Sequence, residues 1–145
     1  MHLLDNLPLA NPDIQVLDED HELLSDLVCA SVRPSPGVSL LWTELQRAKV
    51  VAAAAAPSDL VRMGSCIEYT DVTSRESRVV RLVTPKEAIS AHRVSATSSL
   101  GAALLGLRPG HSFRWYAPDG ELRIVRVDEV TPPLDIRDPR LKRAA

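Results

Sequence analysis

The sequence predicts an α+β protein: an N-terminal antiparallel helical hairpin followed by an antiparallel β-sheet domain carrying one short helix. Three observations predict it. Apolar residues recur at three- and four-residue spacing before Leu60, they recur at two-residue spacing after it, and a Pro/Gly-rich break divides the first stretch in half. With 145 residues, 45% of them hydrophobic, the chain can bury a core without disulfide or metal but is too short for two full domains.

Taken in order, Ile14, Leu17, Leu24, Leu27 and Val28 fall on one face of a helix over 12–30. Val38, Leu41, Trp42, Leu45, Ala48, Val51 and Ala52 form the stripe of a second helix, with Glu44, Gln46, Arg47 and Lys49 facing elsewhere. Ser31-Val32-Arg33-Pro34-Ser35-Pro36-Gly37 cannot continue either helix, so the two pair as a short coiled coil whose tip is Arg33, Pro34, Ser35 and Pro36. Each helix is expected to run roughly 15 to 18 residues, or ~25 Å, and to bury its stripe against the other. The alanines at 52–56 extend the second helix or form a flexible linker, and Pro57-Ser58-Asp59 closes the unit, giving a hairpin over 1–57.

A sheet domain over 58–131 follows. Cys66 to Asp71 and Ser77 to Thr84 read as a β-hairpin across a polar turn, and Arg93 to Thr97 as a third strand. Ser99 to Gly106 forms a short helical turn before Arg108-Pro109-Gly110, which suits a type II turn. Ser112 to Ala117 and Glu121 to Val130 are two more strands, joined by Pro118-Asp119-Gly120 with Gly120 in the left-handed conformation. Phe113 and Trp115 share the core face. The Pro-rich tail, 132–145, is expected to be irregular.

Charge divides the chain. Residues 1–60 carry three basic and nine acidic side chains, net −6, and residues 61–145 carry fourteen and ten, net +4, for the overall −2. Local fields of opposite sign suit two surfaces with different tasks. A pI near 6.1 and five aromatic residues argue against sequence-specific DNA binding. No apolar run approaches the ~20 residues of a membrane span. The start Met1-His2-Leu3-Leu4-Asp5 lacks the features of a secretion signal, and Cys29 and Cys66 lack C-x-x-C spacing; a cytoplasmic protein is expected.

No catalytic constellation emerges. His2, His21, His92 and His111 show no ligand spacing, Gly64-Ser65-Cys66 lacks the frame of a nucleophile elbow, and Gly101 to Gly106 lacks the Lys and hydroxyl of a phosphate loop. Neither a metal nor a cofactor is expected. Asp18, Glu22 and Asp26 recur every four residues and form an acidic ridge that reads as a solvated helix face or as an electrostatic guide toward a basic cavity of a partner; an EF-hand's glycine turn and distal glutamate are missing.

From Val61 onward the chain resembles the C-terminal domain of the Gre family of bacterial transcription factors. Val61-Arg62-Met63-Gly64-Ser65 opens the match, Leu82-Val83-Thr84-Pro85-Lys86-Glu87-Ala88 resembles the family's "L-V-x-P-x-E-A", Val94 to Gly106 resembles its "S-x-x-S-P-x-G-x-A-L-L-G", and Pro118-Asp119-Gly120 closes it. The short hairpin and Leu41 to Ala48 are similar to the Rnk branch, the regulators of nucleoside diphosphate kinase. The resemblance implies an FKBP-like sheet domain that docks on RNA polymerase at the rim of its secondary channel, with the hairpin pointing into the channel. It places polymerase contact at Ser95, Thr97, Ser98, Ser99 and Leu100. Two departures stand out: Ser99 occupies the family's proline position, restoring a backbone donor, and Thr84 replaces a tyrosine.

Cleavage factors of this family hold the polymerase's magnesium with acids at the hairpin tip. Here the tip has no carboxylate, and Coulomb stabilisation from acids turns away falls steeply with distance. The resemblance therefore implies a polymerase-binding regulator that does not stimulate cleavage. A Gre-type cleavage factor, a binding module acting on nucleoside diphosphate kinase without polymerase, and an FKBP-like prolyl isomerase are the alternatives. The last rests on fold alone.

Overall fold

The computed structural model describes residues 11–133. Most of the expected irregular tail and the start at Met1–Asp5 lie outside them. Strand β1 (Gln15–Leu17) leads directly into α1 (Asp18–Ala30), and after residues 31–35 the chain enters α2 (Pro36–Arg47) and β2 (Lys49–Val51). β1 and β2 pair in parallel, Gln15 opposite Lys49 and Leu17 opposite Val51. Five further strands, β3 (Cys66–Asp71), β4 (Ser77–Val83), β5 (Arg93–Ser95), β6 (Ser112–Tyr116) and β7 (Leu122–Thr131), form one sheet in the order β5-β4-β3-β7-β6. Helix α3 (Ser99–Leu104) joins β5 to the loop before β6.

The strands, the short helix and the turns of the second half lie within a residue or two of their expected positions. Gly110 and Gly120 both take positive φ, 89° and 84°, as their turns require. One expectation fails: the sheet is mixed, because β4 and β5 run parallel, with Arg81 opposite Arg93 and Val83 opposite Ser95. The other three pairings are antiparallel, and β7 bulges against β3 at Asp128, which lies unpaired opposite the Glu68–Tyr69 step.

The helices differ more. α1 begins at Asp18, six residues later than expected at 12, because Ile14, Val16 and Leu17 are all buried and pair or pack as extended chain rather than as one face of a helix. A short apolar run of this kind does not distinguish strand from helix by period. α2 ends at Arg47; Ala48 turns extended at ψ 144°, and Lys49–Val51, with its two valines, pairs with β1. The alanines, excellent helix formers, make only an exposed 3-10 turn at Ala53–Ala55, because β2 has already taken the chain out of the helix. The helices therefore have 13 and 12 residues, about 20 and 18 Å at 1.5 Å per residue.

They lie side by side and antiparallel: the His21 ring nitrogen Nε2 is 3.0 Å from the Leu45 carbonyl, so the start of α1 meets the end of α2. Their apolar faces do not close on each other alone. Leu24, Leu41 and Leu45 belong to the same buried cluster as Ile67, Tyr69, Leu82, Leu104, Phe113 and Val127 of the sheet half, and the helix pair lies on the sheet body instead of projecting from it. Polar bonds fix this arrangement. Asp20, between the ridge residues Asp18 and Glu22 in the chain, is buried and accepts from the Met63 amide at 3.0 Å. Glu44, expected to face outward, is buried and paired with Arg47 at 2.6 Å, whose guanidinium also donates to the Pro12 carbonyl. The Asn11 side chain bonds both backbone groups of Arg114 on β6.

Candidate functional site

Ser95, Thr97, Ser98, Ser99 and Leu100 come together as one half-buried surface run between β5 and α3. Its shape is set by short-range hydrogen bonds. The Ser95 hydroxyl accepts from the Thr97 amide at 3.1 Å and lies 2.8 Å from the Thr97 hydroxyl. Ser98 Oγ donates to the Ser95 carbonyl at 2.6 Å and accepts from the Gly101 amide at 3.1 Å, capping α3. Gly101 is required by close approach: a Cβ there would collide with the Ser95 carbonyl oxygen. Local satisfaction thus explains the pattern of serines, threonine and glycine, and leaves a rigid backbone with Leu100 beside it.

Leu100 also lines a hollow of about 460 Å³ with Tyr69, Arg78, Val80, His92 and Val94. Burial raises the pKa of the Tyr69 phenol, against the opposing pull of nearby Arg78. Tyr69 and the His92 imidazole are the rings in the hollow; Phe113 and Trp115 instead pack with each other in and beside the core, centroids 6.2 Å apart.

The tip residues Arg33, Pro34, Ser35 and Pro36 are all exposed, and Ser35 caps α2 by accepting from the Val38 amide at 3.1 Å. No acid stands among them. Asp18, Glu22 and Asp26 lie exposed along α1, before the tip in the chain, and among the described residues no three His, Cys, Asp or Glu side chains converge as a metal site. His21 and His111 have structural bonds, to the Leu45 carbonyl and from the Arg108 amide. Two pKa shifts mark structural acids. Burial pushes the Asp20 carboxyl up, with Glu19 and Asp18 adding to it and the Met63 amide opposing. Burial also acts upward on Asp128, but hydrogen bonds from Thr70 and Arg126 outweigh it and hold the group below the usual range.

One contact was not foreseen. Gly37, in the first turn of α2, is buried against the signature run: a Cβ on it would collide with the Thr97 carbonyl oxygen and lie 2.8 Å from Ser98 Cα. Sequence reading assigned Gly37 to the interhelical turn. A glycine placed inside a helix that Pro36 has already begun was the available signal, since glycine there costs stability unless close packing demands it.

Comparison with known proteins accords with this geometry. The family model for the transcription elongation factor GreA/GreB C-terminal domain matches residues 56–132. The chain belongs to the GreA/GreB family. The regulator of nucleoside diphosphate kinase of Escherichia coli (strain K12) is 32% identical over 114 residues, covering 77% of this chain and 84% of that protein. Transcription elongation factor GreA of Rhodospirillum rubrum is 35% identical over 75 residues, 51% of this chain and 48% of its own length. The likeness to the first thus reaches beyond the sheet half into the helices. A solved transcription elongation factor GreA/GreB from Nitrosomonas europaea superposes with a TM-score of 0.66 at 34% identity, covering 83% of this chain and 98% of that one. Among the described residues, no helix is long and apolar enough to cross a membrane.

Proposed function

We propose that the chain is a transcription regulator that binds bacterial RNA polymerase at the rim of the secondary channel through Ser95, Thr97, Ser98, Ser99 and Leu100, without stimulating transcript cleavage. The observation that carries this reading is the apex: Arg33, Pro34, Ser35 and Pro36 hold no carboxylate, and the 13- and 12-residue helices lie on the body. An ion at the polymerase's active centre gains nothing from charges that are distant and screened by water. Bound at the rim, such a molecule acts by occupying the entrance and excluding longer-armed relatives. The sheet order and the placement of α3 support an FKBP-like arrangement of residues 58–131, and the helices read as a compact pair rather than an extended coiled coil.

Capture of core RNA polymerase by the immobilised chain tests the reading. Wild type retains polymerase, while Ser98→Asp and Leu100→Glu, verified as folded, lose it by at least tenfold. Equal capture by all three overturns the assigned segment. A second reading, a module acting on nucleoside diphosphate kinase, is favoured by the name of the 32% identical relative. It predicts capture of that kinase and none of polymerase. The hollow beside Leu100 offers one phenol ring, Tyr69, and the His92 imidazole, too little apolar aromatic lining for prolyl isomerisation; a tetrapeptide assay is expected to show no acceleration.

A further inference from the structure

The sequence places the hairpin tip and the signature run in separate halves of the chain, with opposite net charge. In the fold Gly37, the residue that follows the tip, lies against the run. Gly37 brings the first turn of α2 against the backbone of Thr97 and Ser98, with space for no side chain between them, and the exposed tip residues directly precede that contact. Resting on the docking reading above, we propose that Arg33–Pro36 and Thr97–Leu100 form one continuous docking surface, held together at Gly37, that a single element of the partner covers.

The contact is rigid on both sides. Ser35 and Ser98 each close the first turn of their own helix, so both runs have fixed backbones next to the shared contact. The helix pair that carries the tip is tied to the body by the Asp20–Met63 bond and by Leu41 and Leu45 in the common core. The combined surface carries one cation, Arg33, which makes no ion pair among the described residues, and no carboxylate; its apolar parts are Pro34, Pro36 and half-buried Leu100. It therefore fits a polymerase element that presents an acidic side chain next to apolar ones. The acidic ridge of α1 remains outside this surface and deters acidic partners from binding the other way round.

Two measurements test this with full-length protein and core RNA polymerase. In the first, dissociation constants are compared for wild type, Arg33→Glu and Leu100→Glu; both variants are expected to bind at least tenfold more weakly. Weakening by Leu100→Glu with wild-type affinity for Arg33→Glu overturns the shared surface and leaves the docking segment standing. Absence of polymerase binding by wild type overturns the docking reading itself and this proposal with it. In the second, Glu19→Cys and Arg62→Cys, which lie beside Asp20 where α1 meets the body and outside the proposed surface, are introduced with Cys29→Ser and Cys66→Ser and bridged by a short bifunctional thiol reagent. Bridged and unbridged protein are expected to bind within twofold of each other. A tenfold loss on bridging means that the helices must swing off the body to engage the partner, which contradicts a preformed surface.

Discussion

Replacing Asp20 with alanine is expected to destabilise the protein by about 1–3 kcal/mol at neutral pH, whereas replacing it with asparagine costs nothing or stabilises. The difference comes from one buried bond. The carboxylate of α1 accepts from the Met63 amide at 3.0 Å, with 7% of the residue exposed, so alanine leaves a backbone donor with neither protein nor ready water as partner. Asparagine keeps an acceptor and removes the cost of burying a charge. The pH dependence has a definite sign. Burial raises the folded pKa of Asp20 above its ordinary value, 3.8. The folded state then binds the proton more tightly than the unfolded state, so the wild type gains stability as pH falls from neutral through the raised value, and the gain is complete below the ordinary one. The Asp20→Asn variant has no such titration at this position, and the difference between the two proteins isolates the residue. Urea unfolding of wild type, Asp20→Asn and Asp20→Ala at several pH values between 7 and 3 measures it. Alanine matching wild type, or wild type losing ground to asparagine as the pH is lowered, would refute the role given to this bond.

Three other perturbations give distinct results. Asp128→Asn removes an acid whose folded pKa is lowered, so it reduces stability by about 1 kcal/mol above the ordinary carboxylate range, and the deficit shrinks as pH falls through the folded value; urea midpoints at pH 7 and pH 3 check this. Leu45→Ala, on α2 but in the common core, costs about 2–5 kcal/mol and lowers one transition seen equally by circular dichroism and fluorescence; two separated transitions contradict a shared core. Gly101→Ala, whose new Cβ meets the Ser95 carbonyl oxygen, costs about 1–3 kcal/mol by thermal or urea unfolding, and an unchanged midpoint shows that the run yields freely.

The second half of the chain was legible because its signals are local. Two-residue alternation, the turn glycines and the Ser98 cap each act within a few residues, and the strands appear where they point. The first half was less so. Ile14, Leu17 and Val51 fit helical stripes, yet Gln15–Leu17 and Lys49–Val51 meet across thirty-odd residues and pair in parallel; no local period encodes that pairing. The parallel β4–β5 pairing also needs the crossover at 84–92, which carries no strand signal of its own. The run from Ser95 to Leu100 matched a family pattern, and its hydrogen bonds show why those residues fold as they do: Ser95, Ser98 and Gly101 build a tight entry to α3. What the sequence concealed was the contact between this run and the first turn of α2. It depends on a missing Cβ at Gly37, and a glycine after two prolines reads first as a turn.

The rate of transcript cleavage in stalled elongation complexes tests the central claim most directly. Added in excess, the protein is expected to leave the intrinsic rate unchanged and to slow cleavage stimulated by a GreA factor supplied at a limiting concentration, as a competitor for the same entrance does. Acceleration of cleavage by this protein alone would contradict an apex that brings no carboxylate to the metal.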